Sequence, residues 1–405
     1  MNKRMGMEGM LGVGGGMISK EAQKNLEKAE DLCRKRRPEK ALPYLEKAME
    51  GGNNLDAIVQ MAFLMPTMDM SVKLLEEAEE KGRAQLIRAL GPKCFDDDGD
   101  CVEHFWGLLE TRPYMRVLQA LVRLAFETKD YSKSANTIIE MLRLCPGDNM
   151  GQRDWLGSVL MKAGRSVDAL SFAQAWLQPE TVKTGAPPKR GGCTFASPSK
   201  EPMRQERVDS LSEWGPAEII YTGALSSFKL WGDCELARQY LKIGARLNPH
   251  ILLKILAKVD QPRSLNNSPR ALNSPESAQD YLWLTQDLWM APDIWAWADS
   301  DAEAKSSVLR TCSRADCGKL EDKVAEFKRC GGCKEVVYCG PECQKQDWKE
   351  HKPRMSLPTP PFPHVPPNVF PLAECQAHKK QKEFLRMMRQ GKQAPASGMD
   401  SAFFG

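Results

Sequence analysis

The chain lacks any apolar run close to the roughly 20 residues that a membrane-spanning helix needs; Ala62-Phe63-Leu64-Met65 is typical of its longest stretches. It also has little charge of one sign. Lys and Arg number 57 against 53 Asp and Glu, leaving +4 over 405 residues, too small an excess for a chain held to a polyanion by phosphate contacts. Lys3 and Arg4 precede no signal-peptide core, because Gly12–Gly16 breaks the apolar pattern. Without a secretory route thiols stay reduced, so the expected location is intracellular, cytoplasmic and/or nuclear, and clustered cysteines read as metal ligands before disulfides. Otherwise the composition, 42% hydrophobic and 27% charged, is that of an ordinary globular protein of two or three domains.

Cysteine is plentiful and unevenly placed. Of 13, six (Cys33, Cys94, Cys101, Cys145, Cys193, Cys234) are scattered without shared spacing and read as packing or surface residues. The rest fall in the last quarter as Cys312-x4-Cys317-x12-Cys330-x2-Cys333-x5-Cys339-x3-Cys343-x7-His351, with Cys375 further on. Four ligands close one tetrahedral zinc site, so eight close two, and a closed site leaves no vertex for a reactive water. Soft thiolates with one imidazole select zinc over harder cations. Val336-Val337-Tyr338 reads as a strand, and Pro341 and Glu342 start a helix. On that helix Cys343, Asp347 and His351 recur every four residues, which puts them on one face.

This constellation resembles the MYND-type zinc finger through Cys339-Gly-Pro-Glu-Cys343-Gln-Lys-Gln-Asp347-Trp348-Lys-Glu-His351. The resemblance implies an interleaved, cross-braced ligand set: Cys312, Cys317, Cys339 and Cys343 on the first zinc, and Cys330, Cys333, His351 and Cys375 on the second. It also implies protein-binding, with proline-rich peptides among the ligands and Gln344 and Trp348 at the contact position. Two departures stand out. The first pair is Cys-x4-Cys where Cys-x2-Cys is usual, and Met355 stands where the pattern expects the last cysteine. A Pro-rich tract, 354–373, intervenes before Cys375; its removal would leave His351-Lys-Pro-Glu-Cys, the expected spacing, so the tract reads as a translated intron whose presence in the transcript sequencing decides. If the tract is retained, lengthening the loop from three residues to 23 costs about 1.8 kcal/mol, small beside the roughly 10–16 kcal/mol of a structural zinc. Residues 376–405 read as a basic helix and disordered tail.

The rest of the pattern is helical, so the expected fold class is mostly α, a solenoid followed by the small finger. Residues 1–18, rich in Met and Gly, are expected to be disordered. In 19–179 apolar residues recur in short paired segments; Val122 aligns with Gly157 and Ser134 with Ala169, a period of 35. This resembles the tetratricopeptide (TPR) repeat, which places small residues where two antiparallel helices cross. The stretch 55–110 matches poorly. Residues 180–213 read as a Pro/Gly/Ser-rich linker. A further repeat and an aromatic helical cap, with Trp283, Trp289, Trp295 and Trp297, are expected over 214–300. Asp96-Asp97-Asp98-Gly99-Asp100 is not a calcium loop, because placing Gly99 at position six puts Cys94 at position one and Phe105 at position twelve.

These features point to a non-enzymatic scaffold acting through repeats and finger. The enzymatic alternative is a SET-type lysine methyltransferase, in which such fingers also occur; the Gly-rich cofactor loops and the Asn-His-Ser/Cys segment of those enzymes are not found after His351. A nucleic-acid-associated role lacks a basic recognition helix, since Glu342, Asp347 and Glu350 mix the charge of the finger helix.

Overall fold

The computed structural model describes residues 6–355, apart from 267 and 334. Its contacts divide the chain into a helical unit, up to Leu309 with Asp322–Ala325, and a second unit of Arg310–Glu321 and the residues from Glu326 onward.

The helical unit begins with α1 (Met7–Leu11), α2 (Lys20–Arg34) and α3 (Pro38–Met49). The expected disorder of 1–18 is not what the described part of that segment shows. Glu8 and Val13 are buried. Arg116 donates from one terminal nitrogen to Glu8 Oε1 at 2.7 Å and from its Nε to Asp56 Oδ1 at 2.7 Å. A buried carboxylate survives only when paired in this way, and the pairing holds an otherwise featureless Met/Gly segment in place. The α2–α3 hairpin is closed by its own small core of Leu26, Ala29, Ala41, Leu45 and Ala48. Ser19 Oγ caps α2 by accepting from Ala22 N at 3.1 Å.

Next come α4 (Leu55–Ala62), α5 (Met68–Leu90), α6 (Arg112–Glu127), α7 (Tyr131–Leu144), α8 (Arg153–Lys162) and α9 (Ser166–Trp176). The α6–α7 turn is written in the sequence: Lys129 takes a φ of 65° and Asp130 then accepts from Lys133 N at 3.0 Å as the cap of α7. Between α5 and α6 the chain is largely non-helical but still packed, with Phe95 and Phe105 in the core against Tyr114. The acidic turn is tied by Asp97, which accepts from Arg143 at 2.7 Å.

The linker expected over 180–213 is a packed segment instead. It contains α10 (Pro179–Thr184), a 3-10 turn over Lys189–Gly192 and most of α11 (Gln205–Trp214). Gly191 and Gly192, at φ of 60° and 83°, let the backbone approach α9 closely enough for Trp176 Nε1 to donate to Gly191 O at 2.9 Å. Side-chain amides hold the extended part: Gln174 exchanges hydrogen bonds of 2.7 and 2.8 Å with the Ser199 backbone. Gln239 does the same with Met203 at 2.7 and 2.9 Å.

Beyond it lie α12 (Ala217–Trp231), α13 (Glu235–Leu247), α14 (Pro249–Leu256), α15 (Pro275–Trp289), α16 (Pro292–Ser300) and α17 (Ala302–Ser306). Helix α12 packs on α9 and α8 as well as α13, so the inserted segment does not interrupt the stacking. Of the aromatic segment expected as a cap, α15 packs against α8, α12 and α14, and α16, with Trp295 and Trp297, against α14, α15 and α17. No described helix is long and apolar enough to cross a membrane.

The second unit is small. Strands β1 (Lys328–Arg329) and β2 (Val337–Tyr338) pair antiparallel, Lys328 with Tyr338 and Arg329 with Val337, and α18 (Pro341–Met355) follows. Its apolar centre holds Phe327, Val337 and Tyr338 packed among buried cysteines, with Glu321 and His351 also buried. So few apolar side chains do not stabilise a fold of this size alone, which is the usual situation of a domain closed by metal.

Candidate metal centre

The metal-ligand spacing in the sequence becomes two clusters in space. Cys312 and Cys317 lie on a loop closed by the Thr311–Leu320 bridge, with Cys312 N donating to Lys319 O at 2.8 Å. Cys339 follows β2, and Cys343 lies in the first turn of α18. The sulfur of Cys317 is 3.6 Å from that of Cys339, Cys339 is 3.5 Å from Cys343, and Cys343 is 3.7 Å from Cys317. With Zn–S near 2.3 Å, two ligands at a tetrahedral angle stand about 3.8 Å apart, whereas a disulfide would need about 2.05 Å. The ligand atoms of all four, Cys312 included, lie within 4.8 Å of one another. The thiols are therefore spaced as the edges of a metal tetrahedron.

Cys330, Cys333 and His351 form the second cluster, also within 4.8 Å. Cys333 Sγ is 3.4 Å from His351 Nε2, and the imidazole is buried. Cys375, the fourth ligand implied by the resemblance, lies outside the described residues, as do the tract from 356 and the basic segment 376–405. In chain order the clusters alternate, so each ligand pair of one is separated by a pair of the other.

The backbone favours anionic sulfur at two positions. The Lys319 amide brings the Cys317 thiol down to about 7. The Cys333 and Gly332 amides do the same for Cys330, also to about 7, which is the electrostatic use of the Cys-x2-Cys turn. Cys343 goes the other way, pushed up to about 12, first by its hydrogen bond with Cys339. Several thiolates in one small space repel one another, and a divalent cation removes that penalty. The donor set and spacing thus fit zinc.

A family model for the MYND finger matches residues 310–354. The stretch is 51% identical over 45 residues to an F-box protein of Arabidopsis thaliana, covering 11% of this chain and 12% of that protein. It is 39% identical over 44 residues to the MYND-type zinc finger protein MUB1 of Saccharomyces cerevisiae, covering 11% and 7%. Residues 310–354 form a MYND zinc finger.

The chain spans less than a fifth of the length of the curated relatives it matches, and a further likeness, 44% over 36 residues, is to SET domain-containing protein 14 of Caenorhabditis elegans, covering 9% of this chain and 8% of that protein. No solved structure matches the chain.

Three supports of the MYND finger were not apparent from sequence. Glu321, buried, accepts from Arg310 N and Phe327 N, both at 2.9 Å, and so ties the first ligand loop to the start of the strand pair. Ser313 Oγ accepts from Val337 N at 3.0 Å while Ser313 N donates to Val337 O at 2.8 Å. Tyr338 donates its hydroxyl to Asp347 Oδ2 at 2.6 Å, beside the edge-on ring of His351. Burial, with that bond to Asp347, raises the Tyr338 phenol above its ordinary value and keeps it a donor. Asp347 had a signal, its place between Cys343 and His351 on one helix face; a lone glutamate and a lone serine in loops had none.

Gln344 and Trp348 stand one turn apart on α18 and share a face. Gln344 is half-buried, and Trp348 is 39% exposed with its ring 6.0 Å from that of His351. An indole held on one side by the metal-ligand helix and open on the other can meet an apolar or proline ring from outside.

Proposed function

We propose that the chain is a non-enzymatic intracellular adaptor. On this reading the MYND finger holds two structural Zn²⁺ ions, one by Cys312, Cys317, Cys339 and Cys343 and one by Cys330, Cys333, His351 and Cys375. The zinc supplies rigidity: it fixes the start of α18 so that Gln344 and Trp348 are presented together to a partner peptide, with proline-rich segments the favoured class. The observation that carries the reading is the four-thiol cluster, whose spacing uses every vertex of a tetrahedron and leaves none for a substrate or water. The helical unit is read as TPR-like and supplies a second protein surface. Support comes from the α6–α7 and α8–α9 pairs at their 35-residue offset, and from Ser134, whose Oγ donates to Val122 O at 3.0 Å where α6 and α7 cross. Two modest contacts on one chain gain by effective concentration when a partner carries both ligands.

Pull-down with the intact chain, against Trp348→Ala and against Cys330→Ala/Cys333→Ala, tests the adaptor reading. Both variants are expected to lose a common set of partners while the helical unit keeps its helix content; identical recoveries from all three would remove the finger from recognition. The methyltransferase alternative is tested by titration with S-adenosylmethionine, for which no saturable binding is expected.

A further inference from the structure

Helix α15 occupies an unusual place. The helices that open three successive pairs, α6, α8 and α12, each meet it. Trp283 of α15 sits against Phe126 at the end of α6, ring centroids 4.9 Å apart, and against Trp155 of α8 at 5.5 Å. Lys162, at the other end of α8, pairs with Asp287. Tyr221 of α12 meets Tyr281 at 5.8 Å and Trp289, edge-on, at 5.9 Å. In a stacked array of helix pairs the first helices line the inner groove, where an extended or helical ligand would bind. Here the chain's own helix lies on them.

The manner of binding separates a permanent occupant from a removable one. Ala278, Tyr281, Leu282, Leu284, Thr285, Gln286 and Trp289 are all buried; they cover a little over half of the helix circumference, wider than the single stripe that holds a surface helix, while Asp287 on the remaining side is exposed. The indole of Trp289 donates to Tyr281 Oη at 3.1 Å within that core. Polar side chains fasten both ends: Asn248 donates to Ser274 O at 3.1 Å and Gln286 to Val259 O at 2.8 Å. Gln261 donates to Trp283 O at 2.7 Å.

We propose that α15 is a built-in, non-exchanging ligand of the groove lined by α6, α8 and α12, so that the helical unit takes no external peptide there and any partner it binds uses another surface. The inference rests on the paired-helix reading of the unit but is independent of the finger and its zinc, so the failure of one leaves the other standing.

Hydrogen–deuterium exchange on the intact chain tests it. The amides of α15 are expected to exchange as slowly as those of α8 and α12, opening only with the whole unit. Exchange about 100-fold faster in α15 alone would mark it as a releasable segment and overturn the proposal. A synthetic peptide of residues 272–291 gives a second reading: no saturable binding to the intact chain is expected, and saturable binding would mean the groove exchanges its occupant. Because a cavity variant such as Trp283→Ala can fail to fold, the contact itself is tested by charge exchange. Lys162→Asp and Asp287→Lys are each expected to lower the melting temperature, and the double exchange to restore most of it; no restoration would place α15 elsewhere.

Discussion

At the residue scale, single charged groups placed far from water decide more than their number suggests. Arg116 is the best instance, being the common partner of Glu8 and Asp56, both almost fully buried. Burial works against its charge and the two carboxylates, Asp56 first, more than compensate, raising its pKa above the ordinary guanidinium value. Arg116→Ala should therefore cost on the order of 3–5 kcal/mol, because it takes the shared guanidinium away from two buried carboxylates and leaves Glu8 the longer contact with Arg112, 3.9 Å away. Adding Glu8→Gln and Asp56→Asn should return part of that loss, as chemical denaturation would measure. Glu218 is the opposite case. Buried at the start of α12, its carboxyl is raised above 4.5, first by burial and then by the Asp154 carboxylate nearby. A raised folded-state value means that the folded form holds the proton more tightly than the unfolded chain. Its contribution to stability is therefore full below the unfolded value and is lost as pH rises through the folded one. Glu218→Gln should accordingly stabilise the helical unit at pH 8 and have no such effect at pH 4, read from paired melting curves at the two pH values. Neither Glu8 nor Glu218 could be singled out in the sequence: a glutamate in a Met/Gly-rich segment and another at a helix start look like solvated charges until the fold buries them.

At the element scale, helix periodicity made the paired segments legible, and the spacing of small residues pointed to their crossings. Gly157 shows why such residues are needed. A Cβ there would stand 2.6 Å from Thr222 Cγ2 of α12, a separation that forces the helices apart. Gly157→Ala is expected to destabilise the unit by about 1–3 kcal/mol through overpacking. Thr222→Ala in the same chain should recover much of that by clearing the space, and a double-mutant cycle in urea checks the coupling. The segment 180–213 was misread for a physical reason. Its Pro, Gly and Ser content describes a backbone that forms few repeating hydrogen bonds, which is equally true of a flexible linker and of a segment pinned by Trp176, Gln174 and Gln239 from elsewhere in the chain. The place of α15 was hidden in the same way. Its dense tryptophans announced burial but not the surface they would be buried against.

At the scale of the whole molecule, the two units rely on different sources of stability. The helical unit closes a large apolar core; the finger has few buried side chains beyond its cysteines. The ligand spacing made the finger the most legible part of the sequence, because metal geometry constrains intervals along the chain far more tightly than packing does. Chelation should therefore unfold the finger and leave the helical unit intact: the far-ultraviolet helix signal should fall only slightly, while amides of β1, β2 and α18 lose protection. A cooperative loss of the helical unit on chelation would show that the division drawn between them is wrong.

The most direct measurement is native mass spectrometry of the untagged chain with and without chelator. The expected result is two Zn²⁺ per chain, falling to one in Cys312→Ser and to zero with chelator, with the finger's amides deprotected as the metal leaves. A chain purified without stoichiometric zinc, or one whose finger keeps its protection after the metal is stripped, would contradict the account.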